Sequence, residues 1–260
     1  MFNIEMISQE EHDIIKRAQE NYGFLLDIAI DVLKLSWTFP KVLQIDAWVF
    51  AGFLSQSNNA LYLYLLSTLR KHAAQSNFNA RLSIEASIMA CYALKQTDIN
   101  TFIEKDSLDK PRAKQNAKSK ANKWIESHYK EHSDRLREIK SEINQTFAHS
   151  NIVSAFGHFE LSEANKQSYT WFFDLTLDRD VHFQLLKFID LVLAQIAMYK
   201  DVVSDYPLLH FRDDFEPDYD KTLTMYAALS DYYKGIAQEI EKGNIEDIPI
   251  FQIIQDEETQ

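Results

Sequence analysis

Apolar residues recur at helical spacing through most of the chain. From Ser8, the positions Ile15, Ala18, Tyr22, Leu25, Leu26, Ala29 and Leu33 keep one face of a helix to about Trp37, where Phe39-Pro40 stops it. A second run from about Val42 to His72 aligns Ile45, Val49, Phe53, Leu61, Leu65 and Leu69. Its polar centre, Ser55-Gln56-Ser57-Asn58-Asn59, marks either a kink or a hydrogen-bonded contact inside a core. Gln75–Asn79 reads as the connection into a third helix, Asn79–Lys95, whose pattern is of another kind. Between Arg81 and Leu94 only Arg81 and Glu85 are charged, one helical turn apart. Leu82, Ala86, Met89 and Ala93 make an apolar row, and Ser83, Ser87 and Cys91 a row of small side chains that lets another helix come close. A helix without a face for water is buried, so this segment is predicted as the central helix of a bundle.

Thr97–Lys105 reads as a short helix capped by Asp98. Asn122–Tyr129 and Ser133–Phe156 are helical again. After Gly157 the texture changes: His158–Ser162 and Ser168–Thr176 read as a two-stranded hairpin around the polar Glu163–Gln167, or, for YTWFFDL, as buried helix. Asp178–Asp205 is a strongly apolar helix broken by Lys187, Asp190 and Gln195, hence a core helix, closed by Pro207. Asp213–Asp220 is an acidic connector, and Tyr219–Gly243 forms the last helix. The fold class expected is all-α: one multi-helix bundle over residues 1–243 with a small hairpin insertion at 157–177, followed by a tail over 244–260.

Composition supports this. Only 5 glycines and 5 prolines punctuate 260 residues, which favours long helices over hairpins. A net charge of −12 disfavours general nucleic-acid binding. One segment departs from that balance. Lys110–Lys123 holds six basic residues and no acid, and reads either as a solvated loop and helix start or as a local patch for RNA or phosphate. The single cysteine, Cys91, excludes an internal disulfide framework and a cysteine zinc cage. The N-terminus lacks the apolar run of a signal peptide. Ala47–Leu69 carries no charge over 23 residues, but five consecutive polar side chains at its centre argue against a membrane span. A cytoplasmic protein with no membrane partner is expected.

The chain has no phosphate-binding glycine loop, dinucleotide fingerprint, HExxH or nucleophile elbow, and no cofactor follows from its residues. Two constellations remain. Arg81 and Glu85, between apolar neighbours, are expected to form a desolvated ion pair that either fixes the bundle or positions a ligand phosphate or a histidine. In Ile143–Asn151, INQTFAHSN, the residues Leu136, Ile139, Ile143 and Phe147 form the core stripe of a helix. Glu142 lies nearly in line with His149, and Asn144 with Asn151 lies on the other flank. Asn144 and His149 are roughly 140° apart on an ideal helix, so a site using both needs a second helix or chain. A metal site on Glu142 and His149 lacks further ligands.

The segments LSTLRKHAAQSNFNARLSIEASIMACYALK and INQTFAHSNIV resemble a set of bacterial cytoplasmic helical proteins of uncharacterised activity. These share LRxxxEAxxxAxYAL and INxxxAHxN helices, and the likeness covers roughly residues 45–155. The second motif is also similar, more distantly, to the Arg-x4-6-His signature of HEPN domains, helical bundles of toxin–antitoxin and phage-defence systems. That resemblance implies metal-independent RNA cleavage in a homodimer. His149 would be general acid/base, Glu142 would orient it, and Arg81 with Asn144 would bind the phosphate. The chain departs from the signature at Asn144, where arginine is expected. Asparagine supplies no guanidinium, so Arg81, or Arg70 on the preceding helix, must be brought near His149 by the fold. The competing expectation is a non-enzymatic helical module that binds a cognate partner protein or a small ligand.

Overall fold

The computed structural model describes residues 3–146, 159–162, 167–170, 173 and 178–241. His149 and the tail from 244 lie outside the described residues. Among those described there are eight α-helices and three two-stranded antiparallel ribbons, an all-α bundle as the periodicity predicts.

Chain order explains the assembly. Helices α1 (Ile4–Lys16) and α2 (Ala18–Thr38) are separate, where the periodicity had suggested one helix. The break falls at Arg17, and α2 bends again at Gly23, whose φ of 36° and ψ of −119° suit only glycine. Strand β1 (Pro40–Leu43) and a 3-10 turn precede α3 (Trp48–Leu69), so the second helix starts later than the apolar pattern suggested. Helix α4 (Ala73–Lys95) starts earlier, and Gln75–Asn79 is helical. The true connection is Arg70-Lys71-His72. The His72 amide donates to the Ser67 carbonyl and the Lys71 amide to that of Thr68, both at 2.9 Å, while Lys71 takes a left-handed φ of 64°. Glycine usually fills that helix-stop position, so its sequence signal was missing here.

A 3-10 turn over Ile99–Thr101, capped by the Asp98 side chain as expected, leads into strand β2 (Ile103–Lys105) and not into a further helix. Strand β3 (Pro111–Ala113) closes that ribbon, followed by α5 (Ala117–His128) and α6 (Lys130–Thr146). Strands β4 (Phe159–Ser162) and β5 (Gln167–Thr170) pair as the expected hairpin. Helix α7 (Asp178–Asp205) has the predicted limits. Strand β6 (Leu209–Phe211) returns to pair with β1, Leu43 opposite Leu209, and α8 (Phe215–Glu241) takes in most of the supposed acidic connector. Phe39, Phe211 and Phe215 stack beneath the β1–β6 ribbon against Tyr199 of α7.

Helices α4 and α7 are the interior. From Ala80 to Lys95 no residue of α4 is fully exposed, and only one edge, with Arg81, Leu82, Glu85, Met89 and Lys95, is half-buried. Helix α7 is the one described helix long and apolar enough to cross a membrane, and 72% of its apolar window is buried within the bundle. The polar middle of α3 is a core contact, not a kink. Ser57 and Ser83 meet at 3.0 Å between hydroxyls, Gln195 of α7 donates to Ser83 Oγ at 2.9 Å, and Asn58 donates to the Ser36 carbonyl at 2.9 Å. Thr68 and Ser76 continue the antiparallel α3–α4 register at 3.1 Å. Small hydroxyl side chains let three helices close on one another while their polar atoms remain paired. Gln195→Ala should therefore cost about 2–3 kcal/mol, from the lost hydrogen bonds and the space left behind, read as a lower midpoint in urea unfolding.

Candidate functional site

Glu85 stands where α4, α5 and α6 meet. Its Oε2 takes Lys118 Nζ of α5 at 2.6 Å, and its Oε1 takes Lys140 Nζ of α6 at 2.9 Å. Arg81 Nε is farther, at 3.5 Å from Oε1. The expected desolvated Arg81–Glu85 pair is thus corrected on two counts. The pair is partly solvated, at 33% and 22% side-chain exposure, and the closer partners of Glu85 are lysines from other helices. Arginine preceding glutamate by four residues is the weaker order for a helical pair, which leaves the carboxylate to the lysines.

Arg81 also reaches across the bundle: its Nη1 donates to Asn144 Oδ1 at 3.4 Å. The fold therefore joins Arg81 and Asn144, the two residues that lie on different motif helices. Glu142 does not share that side. Leu136, Ile139 and Ile143 turn the core stripe of α6 inward as read from the sequence. Asn144 then faces α4 on one flank, and Glu142 faces α7 on the other, 3.7 Å from Lys187 Nζ. Beside Glu142 is a cavity of about 20 Å³ lined by Tyr64, Asn77, Lys187 and Asp190. That is room for a water molecule and far too little for a nucleotide. Arg70, the alternative arginine, is engaged elsewhere, 3.9 Å from Glu11.

The basic segment is divided by the fold. Arg112 bridges to Asp106 at 3.1 Å within the β2–β3 ribbon, and Lys114 Nζ donates to the Asn100 carbonyl at 2.8 Å. On α5 the buried stripe Ala117, Ala121, Trp124 and Ile125 separates Lys118, on the flank toward Glu85, from Lys120 and Lys123 on the opposite flank. The six basic residues of Lys110–Lys123 thus make no single patch, and only Lys118 joins the Arg81 cluster.

A second polar cluster gave no signal in the sequence because its members are scattered along it. Lys71 Nζ, at 2.9 Å, and the Tyr22 hydroxyl, at 3.2 Å, both donate to Asp178 Oδ1. His72 Nε2 lies 2.8 Å from Glu11 Oε1. His182 contacts the Asp178 carbonyl through Nδ1 at 2.8 Å, and burial lowers its pKa, so the neutral ring is the donor. These contacts tie α1, α2 and α7 to the strained α3–α4 turn. A groove of about 380 Å³ between α2 and α8 is lined by Lys34, Arg212, Lys221 and Met225 and contains none of the sequence-named residues. Among the described residues no group of three or more His, Cys, Asp or Glu is arranged to hold a metal ion.

Compared with protein-family models, curated proteins and solved structures, the chain matches none.

The Glu85 carboxyl is held down at about 2. Burial pushes it upward, and the hydrogen bonds and charges of Lys118 and Lys140 outweigh that. A lowering of that size is worth at most about 3 kcal/mol, reduced to about 2 by screening at the half-exposed Lys118. Because the folded value lies below the unfolded one, this stability is complete above the ordinary carboxylate range and fades as pH falls toward 2. Glu85→Gln should cost about 2 kcal/mol at neutral pH, with the difference from wild type closing in acid, as followed by urea unfolding across pH.

Proposed function

We propose that the chain is a HEPN-like protein acting on RNA, in which Arg81, Lys118, Lys140 and Asn144 receive a phosphate and His149 acts as general acid/base. The observation that carries this reading is the Arg81–Asn144 contact at 3.4 Å. A guanidinium arrives, from another helix, at the position from which the HEPN signature projects its own arginine. Three cations around one carboxylate also leave a local positive excess in a chain of net charge −12. Such an excess favours a phosphodiester, with Glu85 yielding Lys118 and Arg81 to it. The planar guanidinium suits the charge that builds on phosphoryl oxygens in a metal-independent cleavage. In this reading Glu142, seven residues before His149 in the sequence and on the flank of α6 away from Asn144, orients the imidazole in a site that a second chain completes.

Incubation with labelled single-stranded RNA tests it. Wild type should cleave, and His149→Ala should lose on the order of 100-fold or more with an unchanged circular dichroism spectrum. Lys118→Ala should weaken binding and lower the slope of binding against salt by about 1. Equal cleavage by wild type and His149→Ala overturns the catalytic role.

A non-enzymatic module that binds a partner protein is the second reading. It is favoured by the tightness with which Glu85 already occupies Lys118 and Lys140, at 2.6 and 2.9 Å. Under it, Glu85→Ala lowers the melting temperature sharply while His149→Ala leaves every measured property unchanged. The reverse ranking counts against it.

A further inference from the structure

The groove between α2 and α8 takes no part in the RNA reading, yet its lining is ordered. The two helices lie antiparallel. The Arg212 amide, just before α8, donates to the carbonyl of Phe39, just after α2, at 3.0 Å, while toward the other ends Tyr22 and Tyr233 both pack on the His182 ring. Along that axis the groove is graded. Its end near the β1–β6 ribbon is polar, with Thr38, Arg212, Asp218 and Lys221, and its far end is apolar, with Ile28 and Met225. Leu35 lies between them on the floor. From Ile28 to Thr38 the helix rises about 15 Å, enough for a polar head and a medium-length apolar body in one molecule. The volume of about 380 Å³ is that of a small-ligand cleft and not of a packing defect.

The charges of the groove do not cancel one another. Five line it, and four of them pair, Lys34 with Asp31 at 3.2 Å and Arg212 with Asp218. Lys221 is left over, with no ion pair among the described residues. Asp214, itself mostly in solvent, takes the other arm of the Arg212 guanidinium at 2.8 Å, so two carboxylates fix the plane of the fork. Its Nε finds no partner inside the fold, and each Nη keeps a second N–H. The guanidinium is thus held in place without being used up, as a preorganised anion donor should be.

Charge and shape together select the occupant. A cation would meet Lys34, Arg212 and Lys221, and an uncharged apolar molecule would leave Lys221 unmatched. No aromatic side chain among the described residues lines the groove, so an aliphatic body suits it and a stacked ring does not. We propose that the α2–α8 groove binds a small amphipathic anion, with its carboxylate or phosphate head on Lys221 and Arg212 and its aliphatic body over Leu35, Ile28 and Met225. The Arg81–Asn144 cluster has no part in this site, so the RNA reading and this one stand or fall separately.

Titration calorimetry of the full chain with sodium octanoate and with octyl phosphate, joined to methionine-methyl NMR, tests the site. At least one of the two anions should bind saturably at one site per chain, and the tighter of them names the head that the groove takes. Met225 is the one methionine of five that lines the groove. Its methyl resonance, assigned with Met225→Leu, should shift on binding while those of Met89 and Met198 stay in place. Lys221→Glu, at an exposed position, should weaken binding at least tenfold with an unchanged circular dichroism spectrum. Lys123→Glu, exposed on α5, should leave it as it is, and octylammonium chloride should not bind. Absence of saturable binding by both anions overturns the proposal. So does binding that leaves the Met225 methyl unmoved, that Lys221→Glu does not weaken, or that octylammonium matches.

Discussion

The close approach of α3, α4 and α7 at Ser57, Ser83 and Gln195 is the constraint on which the bundle depends. A helix such as α4, with no fully exposed residue from Ala80 to Lys95, must be covered around nearly all of its circumference. It must also leave no polar atom stranded there. Serine at position 83 meets both demands, being small enough for α3 to come near and polar enough to close a network with Ser57 and Gln195. Ala90 and Cys91 continue the narrow row toward the end of α4, where burial pushes the Cys91 thiol pKa well up and keeps it a neutral core side chain. With α4 walled in by α3 and α7 on these sides, α5 and α6 occupy the remaining edge, and Glu85 is the residue that faces them.

That edge is where electrostatics enters. In an acidic chain, most carboxylates lie at the surface with lysine or arginine neighbours worth little each. Glu85 differs because it gathers charges from three helices, Arg81 on its own, Lys118 and Lys140 on two others. It therefore clamps α5 and α6 to the central helix and concentrates positive charge at one point of the surface. The structural and the RNA-directed accounts use the same four side chains. They differ in whether Glu85 is the permanent partner of the lysines or a placeholder for phosphate.

Several features could be read from residue pattern alone. Helix α7 has the predicted limits because its apolar run and its stop at Pro207 are both local. The polar middle of α3 was legible as a core contact or a kink, and burial of its neighbours decided for the contact. Other features had no local signal. Lys71 stops α3 in a left-handed conformation where glycine would have announced the turn, so the boundary of α4 was misplaced. Strands β1 and β6 are four and three residues long and separated by more than 160 residues, too short and too distant for periodicity to pair them. Of the candidate site, Arg81, Asn144 and Glu142 were nameable from their helices. Lys118 and Lys140 as the partners of Glu85 were not, because each comes from a helix whose register against α4 is a property of the packed core.

By itself, then, the sequence determined the fold class, the burial of α4 and α7, and the opposite flanks of α6 on which Asn144 and Glu142 lie. These follow from the 3.6-residue period and from the cost of leaving apolar rows wet. Only the tertiary structure decided that Asn144 meets Arg81 and Glu142 meets Lys187, that Glu85 belongs to the lysines more than to Arg81, and that the basic segment is split between two sides of α5. Those outcomes depend on the azimuth and height at which one helix packs against another, set by the summed fit of many side chains across the core, and no stretch of a single helix encodes them.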